Sequence, residues 1–443
     1  MRPGARTLER QHTVGGPPWQ IPVTLLALGA LAQLVATAGL VTAARDLAAG
    51  SFDGPTQLAV VHLYGLGFLT LVIVGALLQL GPVIVRQQIC RPSVAAIIGG
   101  ALALGAWLLS AGLWSGTAWS TAGGGSLLVV GGGAFIGHLA RALWRAGRAG
   151  TLGAPGAGIA LAGFWFAIVL ALGATMAANQ IHPLVGANLI QIIGAHAAVA
   201  IIGWIGGTIL AVSLRLAPMF LLSHGYWRPP GTAALVLWNL SVPPIAVGIG
   251  IGSAPLALAG GFVLLAACAA AGTFLVGVVR HRRRRLEAPM VHLALGLVAT
   301  IGTTASLMLA RTGAYDLYDA AVPAVLAVLI GLGAGVASGH LFKVLPMLVW
   351  TGRYAHLAGA GGAPKLSDLY PAPLAAAEQG AFGTGLVLLV GGVAGRSGTV
   401  AEVGAVLLFV AAVAVAAAVA AVVFGAPGTH RTSPAVPAAE PAQ

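Results

Sequence analysis

The stretch His62-Leu63-Tyr64-Gly65-Leu66-Gly67-Phe68-Leu69-Thr70, which runs without a charged residue to Gln79-Leu80-Gly81-Pro82, decides the fold. Two further stretches repeat its frame: Gly203-Trp204 leads to Arg215-Leu216-Ala217-Pro218, and Gly331-Leu332 leads to Lys343-Val344-Leu345-Pro346. Each spans sixteen residues from Gly to Pro, and the copies recur at intervals of 136 and 128 residues. They read as three copies of one apolar helix. Two carry a histidine just upstream, His62 five residues before its glycine and His196 seven before. An ionisable side chain inside an apolar span is costly to keep and is a functional candidate by default.

Composition fixes the setting of these helices. With 58% hydrophobic residues, 7% charged residues and a mean hydropathy of +0.95 over 443 residues, the chain is not a soluble globule but an all-α polytopic membrane protein. Apolar runs long enough to cross a hydrocarbon core of roughly 30 Å fall at about 20–45, 58–85, 93–115, 121–145, 155–178, 187–220, 231–252, 255–280, 288–311, 320–350, 380–396 and 400–425. That makes twelve transmembrane helices over 20–425, with a basic segment at 1–19 and a Pro- and Ala-rich tail at 426–443 expected to be disordered. The first nineteen residues lack an apolar core and do not read as a cleaved signal peptide.

Charge placement is consistent with this count. With the N-terminus in the cytoplasm, 19 of the 22 Lys and Arg residues fall on the inside, and Arg45, Arg311 and Arg396 fall outside. The expected topology is therefore a multi-pass protein of a bacterial-type inner membrane with both termini cytoplasmic. The basic run Arg280 to Arg285 ends a hydrophobic helix and reads as a topogenic anchor rather than a nucleic-acid site. Glycine clusters such as Gly248-Ile249-Gly250 follow no strand, so they read as helix-packing positions rather than nucleotide loops. Cys90 and Cys268 form no CxxC motif, which excludes a zinc ribbon and covalent c-type haem attachment.

The repeats also carry geometry. All three lie on even-numbered helices, which run in one direction. At about 1.5 Å per residue, His62 and His196 lie roughly 30 and 33 Å before their prolines, near the outer end of the core. Their offsets from the repeat glycine differ by two residues, or about 200° around a helix. Opposite faces of neighbouring inner helices can point into one gap, and in a ring of the right hand the two imidazoles meet there.

On these residues the chain resembles the catalytic subunit (subunit I) of the haem–copper oxidase superfamily. The carriers are Val61-His62-Leu63-Tyr64-Gly65-Leu66-Gly67-Phe68, Ala195-His196-Ala197-Ala198-Val199 through Gly203-Trp204, and the aliphatic-Pro ends of the inner helices. The resemblance implies twelve helices in three arcs of four, with histidine ligands on the inner helices near the outer surface. It also implies non-covalent b-type haem or copper as cofactor, and an electron donor or another respiratory-complex subunit as partner besides the lipid bilayer. The chain departs from the family on helix ten, where Ala324 and Leu326 replace a His-x-His, and on helix seven, where Leu237-Trp238-Asn239-Leu240-Ser241 carries no copper-binding histidine. A conventional binuclear centre cannot be built from these residues, so proton-pumping oxygen reduction is not expected.

His138, His292 and His340 fall toward the other side of the membrane and form a candidate second metal site, with interfacial hydrogen bonding as the plainer reading. His182 lies in an outer loop that could cover the first site. The leading expectation is a haem- or metal-binding oxidase-like protein with His62 and His196 as ligands, in electron transfer or in handling nitric oxide or oxygen. The alternatives are a repeat-built transporter, whose broken helix would fall at Pro243-Pro244, and a non-catalytic partner of a respiratory complex.

Overall fold

A computed structural model describes residues 15–180, 182, 184, 186, 188–358 and 363–425. Most of the basic N-terminal segment and the tail from 426 lie outside the described residues. Among the described residues, twelve helices are long and apolar enough to cross a membrane. The first four are α1 (Gln20–Ala48), α2 (Pro55–Val85), α3 (Pro92–Ser115) and α4 (Ala118–Arg148). The next four are α5 (Gly153–Asn179), α6 (Leu189–Leu221), α7 (Pro229–Gly250) and α8 (Ala254–Arg280). The last four are α9 (Ala288–Arg311), α10 (Asp319–Arg353), α11 (Ala372–Ala394) and α12 (Gly398–Phe424). An even number of spans places both ends of the bundle on one side, called here the termini side.

Each set of four packs in the same way. The first helix lies on the second, the second on the third, and the third and fourth form a close hairpin; the fourth then packs on the first helix of the next set, and α12 closes the ring on α1. Three arcs of four surround the inner helices α2, α6 and α10.

All three inner helices widen into a π-helical segment in identical register: Leu63–Thr70, Val199–Gly206 and Ala327–Ala334. The repeat glycines Gly67, Gly203 and Gly331 each stand fifth in their segment. Their missing side chains admit the first helix of the arc. A Cβ would lie 3.0 Å from Ala32 on α1, 2.8 Å from Trp165 on α5 and 3.1 Å from Ala299 on α9, respectively. The seventh residues are Leu69, Ile205 and Gly333, and they meet at the centre, where a Cβ on Gly333 would fall 2.7 Å from Leu69 and 3.5 Å from Ile205. Leu69 and Ile205 are buried. The axis is packed with aliphatic side chains at this depth.

A π-helical turn bonds N–H groups to carbonyls one residue further back than an α-turn and perturbs the ladder. Side chains serve two of the affected carbonyls. The Thr70 hydroxyl donates to Gly65 O at 2.8 Å while accepting Trp204 Nε1–H at 3.1 Å, and Trp238 Nε1–H donates to Ile202 O at 2.8 Å. Trp204 also stacks on Phe166 at 4.4 Å between centroids. The bonds join α2, α6 and α7 through the core, and the stack adds α5.

A second repeat lies in the hairpins. Gly105, Gly112 and Gly124 recur as Ser241, Gly248 and Gly260 and as Gly385, Gly392 and Gly404, at the same spacings of seven and twelve. A Cβ on Gly112, Gly248 or Gly392 would stand 2.4, 2.5 or 2.3 Å from the backbone nitrogen of Thr121, Ala257 or Ala401. The turns match as well, with Thr117, Ser253 and Ser397 N–H donating to the carbonyls of Gly112, Gly248 and Gly392. The preceding residue is left-handed each time, Gly116 and Gly252 at φ 69° and 71° and Arg396 at φ 53°. Backbone-to-backbone approach through small residues is how membrane helices gain packing without a hydrophobic driving force.

Two helix readings need correction. α11 begins at Ala372 rather than near 380, because Pro373 occupies the first turn, where its missing N–H has no intrahelical partner to lose. α7 runs unbroken through Pro243 and Pro244, so the broken helix expected of a transporter is not found there.

Candidate functional site

His62 and His196 lie at matching positions on the neighbouring inner helices α2 and α6. Each lies just ahead of its π-helical segment, on α2 and α6, at the side opposite the termini. His62 ends the α-helical part of α2, and its Nδ1–H donates to Leu58 O at 2.8 Å. That bond fixes the tautomer and leaves the Nε2 lone pair free, the arrangement by which a ligating imidazole is oriented. His196 lies against Gly173 of α5, where a Cβ would stand 3.5 Å from its Cε1. Its Nδ1 is buried and has no protein hydrogen-bond partner. A buried polar nitrogen without a partner carries a desolvation cost of about 1–3 kcal/mol, which ligation would remove. A side chain added at Gly65, about one turn beyond His62, would meet nothing within 4 Å. His62 Nε2 and His196 Nδ1 are therefore the ring nitrogens that could hold a haem or a metal ion.

Ala324 is buried, and Leu326 is partly buried against the apolar core. On α7, Trp238 bonds to the π-helical segment of α6, and Asn239 Oδ1 accepts Trp165 Nε1–H at 3.0 Å while its amide donates to Leu235 O.

The three-histidine layer does not assemble. His138 sits on α4 in the first arc, whereas His292 and His340 belong to the third. His340 Nδ1–H donates to Val336 O at 2.7 Å. His292 Nε2 instead meets Glu378 Oε2 of α11 at 2.9 Å, with both side chains almost wholly buried. Among the described residues, no three His, Cys, Asp or Glu side chains are grouped as metal ligands. His182 is exposed.

Glu378 is the residue the sequence reading missed. Starting helix eleven near 380 left it in a loop, whereas in the fold it lies in the second turn of α11. The signal was available in Pro371-Ala372-Pro373, a helix start followed by an isolated carboxylate in an apolar run.

No family model matches the chain, and no curated protein matches it.

Proposed function

We propose that His62 and His196 ligate a haem or a metal ion in the gap between α2 and α6, and that the protein serves electron transfer or the handling of nitric oxide or oxygen. The observation that supports this most is the presence of two imidazoles at matching positions on equivalent inner helices, one oriented through Leu58 and the other with a buried nitrogen lacking a partner. A bound haem would supply a one-electron couple and an iron tuned by its axial ligands and by burial. The protein's own part is to hold the two imidazoles from separate helices, fix the tautomer of His62 and surround the site with apolar helices. Proton-pumping oxygen reduction is not part of this reading, because Ala324, Leu326, Trp238 and Asn239 stand where further ligands would be required. Transport along the central axis is disfavoured by Leu69 and Ile205 packed against Gly333. The test is the absorption spectrum and metal content of the purified full-length protein. A Soret band that shifts on reduction, or stoichiometric copper, is expected; a colourless, metal-free protein would turn the assignment toward a non-catalytic partner of a respiratory complex.

The proposed location is a bacterial-type cytoplasmic membrane with the termini side inward. On the opposite side, two of the three arginines are paired with carboxylates, Arg45 with Glu402 at 2.6 Å and Arg396 with Asp319. The unpaired positive charge thus concentrates further on the termini side. Reporter fusions after Arg148 and Arg285 should read cytoplasmic and one after Leu184 external; the reverse pattern would put the His62–His196 site on the cytoplasmic side.

A further inference from the structure

The buried pair of His292 and Glu378 has no place in the site above. Glu378 Oε2 meets His292 Nε2 at 2.9 Å, the Glu378 side chain is 0% exposed and that of His292 is 2% exposed. The imidazole lies in a slot on α10 formed by two glycines one turn apart: a Cβ on Gly335 would stand 3.2 Å from its Nδ1, and one on Gly339 2.7 Å from its Cδ2. Phe382 closes the slot edge-on at 4.9 Å. Two polar atoms remain open, His292 Nδ1 and Glu378 Oε1, both buried and without a protein partner.

A structural clamp between the first and third helices of an arc does not require ionisable groups. The second arc joins the corresponding helices α5 and α7 with the uncharged Trp165–Asn239 bond. The third arc bears instead the cost of burying an acid and a base, and in a membrane that cost marks function. The site also lies near an aqueous face. His292 is in the second turn of α9, about 6 Å from its start, and Glu378 is about 9 Å from the start of α11; both helices begin on the termini side. The Glu287–Lys343 ion pair forms the rim above it, beside Tyr370, whose hydroxyl donates to Phe342 O. Burial and the neighbouring Glu287 carboxylate hold the Tyr370 phenol above its ordinary pKa, so it remains a donor.

We infer that His292 and Glu378 form a buried proton-exchange site close to the termini side. Net neutrality, which burial favours, requires one proton shared between imidazole and carboxylate in addition to that of a neutral imidazole. Release of the His292 Nδ1 proton leaves a neutral imidazole beside a carboxylate, and uptake of a proton on Glu378 Oε1 restores neutrality. The two unpartnered atoms are thus the positions at which the pair can release or take up that proton. The other titratable or charged groups facing it are His340 and Lys343 from α10, Glu287 from the start of α9, and Tyr370 from the connection before α11; α11 itself adds none near Glu378.

The test is pH-difference infrared spectroscopy of the full-length protein in detergent, in light and heavy water. A carboxyl band should titrate, shift in heavy water and be absent from Glu378→Gln, while His292→Gln should keep the band and move its midpoint. If Glu378→Gln does not fold, Glu378→Asp should shift the band frequency. Identical difference spectra for wild type and a folded Glu378 variant, or a band that ignores pH, would show a static clamp and overturn the assignment. Neither outcome depends on haem or metal at His62 and His196.

Discussion

On the proposed ligation, purified His62→Ala and His196→Ala proteins should each lose the wild-type Soret band or bound metal, with retention of the cofactor at least about tenfold weaker. Loss of an outer-shell partner alone costs about 10–100-fold in metal affinity, and each substitution here removes a ligand itself. The two rings come from different arcs, so neither can replace the other without moving a helix. The His62 ring is held by its bond to Leu58 O, which leaves only Nε2 to ligate; His62→Gln restores a polar group there but no imidazole, and should not restore the spectrum. His340→Ala is the control. That ring is on the termini side of α10 and bonds Val336 O, so its removal should leave the band unchanged. A wild-type spectrum in both His62 and His196 variants, with metal content unaltered, would dismiss the pair as ligands.

That the pair could be proposed from sequence follows from where the information lay. The inner helices announce themselves because Gly and Pro sixteen residues apart are conspicuous against aliphatic residues, and the side of each histidine follows from helical arithmetic. The widened segments were not legible. Leu63–Thr70, Val199–Gly206 and Ala327–Ala334 have no shared composition beyond their fifth-place glycine, and the extra residue per turn is a property of backbone hydrogen bonding. Glu378 was obscured by the two prolines before it, which lower local hydropathy while starting the helix. His138 was grouped with His292 and His340 on depth alone, and depth cannot say which arc a helix belongs to. The hairpin repeat escaped notice because its glycines are few among 65, and only the approach of a neighbouring backbone distinguishes Gly392 from Gly391.

That distinction yields a large effect on stability. Gly404→Leu should destabilise the protein by about 1–3 kcal/mol or more, the range for overpacked cores, and lower its unfolding temperature in detergent. The Cβ alone would stand 2.2 Å from Leu389 N, 2.7 Å from Leu389 Cα and 2.8 Å from Gly385 O. All three are backbone atoms, so no side-chain rotation relieves the clash and α11 must move away from α12. Moving α11 would also disturb Glu378, which the same helix holds against His292. Gly391→Ala is the matched control, since its Cβ would meet nothing within 4 Å; replacing a mid-helix glycine there should be neutral or stabilise by roughly 0.5–1 kcal/mol. Gly124→Leu in the first arc should behave like Gly404→Leu, because its Cβ would fall 2.3 Å from Leu109 N. Equal unfolding temperatures for Gly404→Leu and Gly391→Ala would mean that the hairpins are not held by backbone contact, and the threefold repeat would then be a pattern of residues rather than of packing.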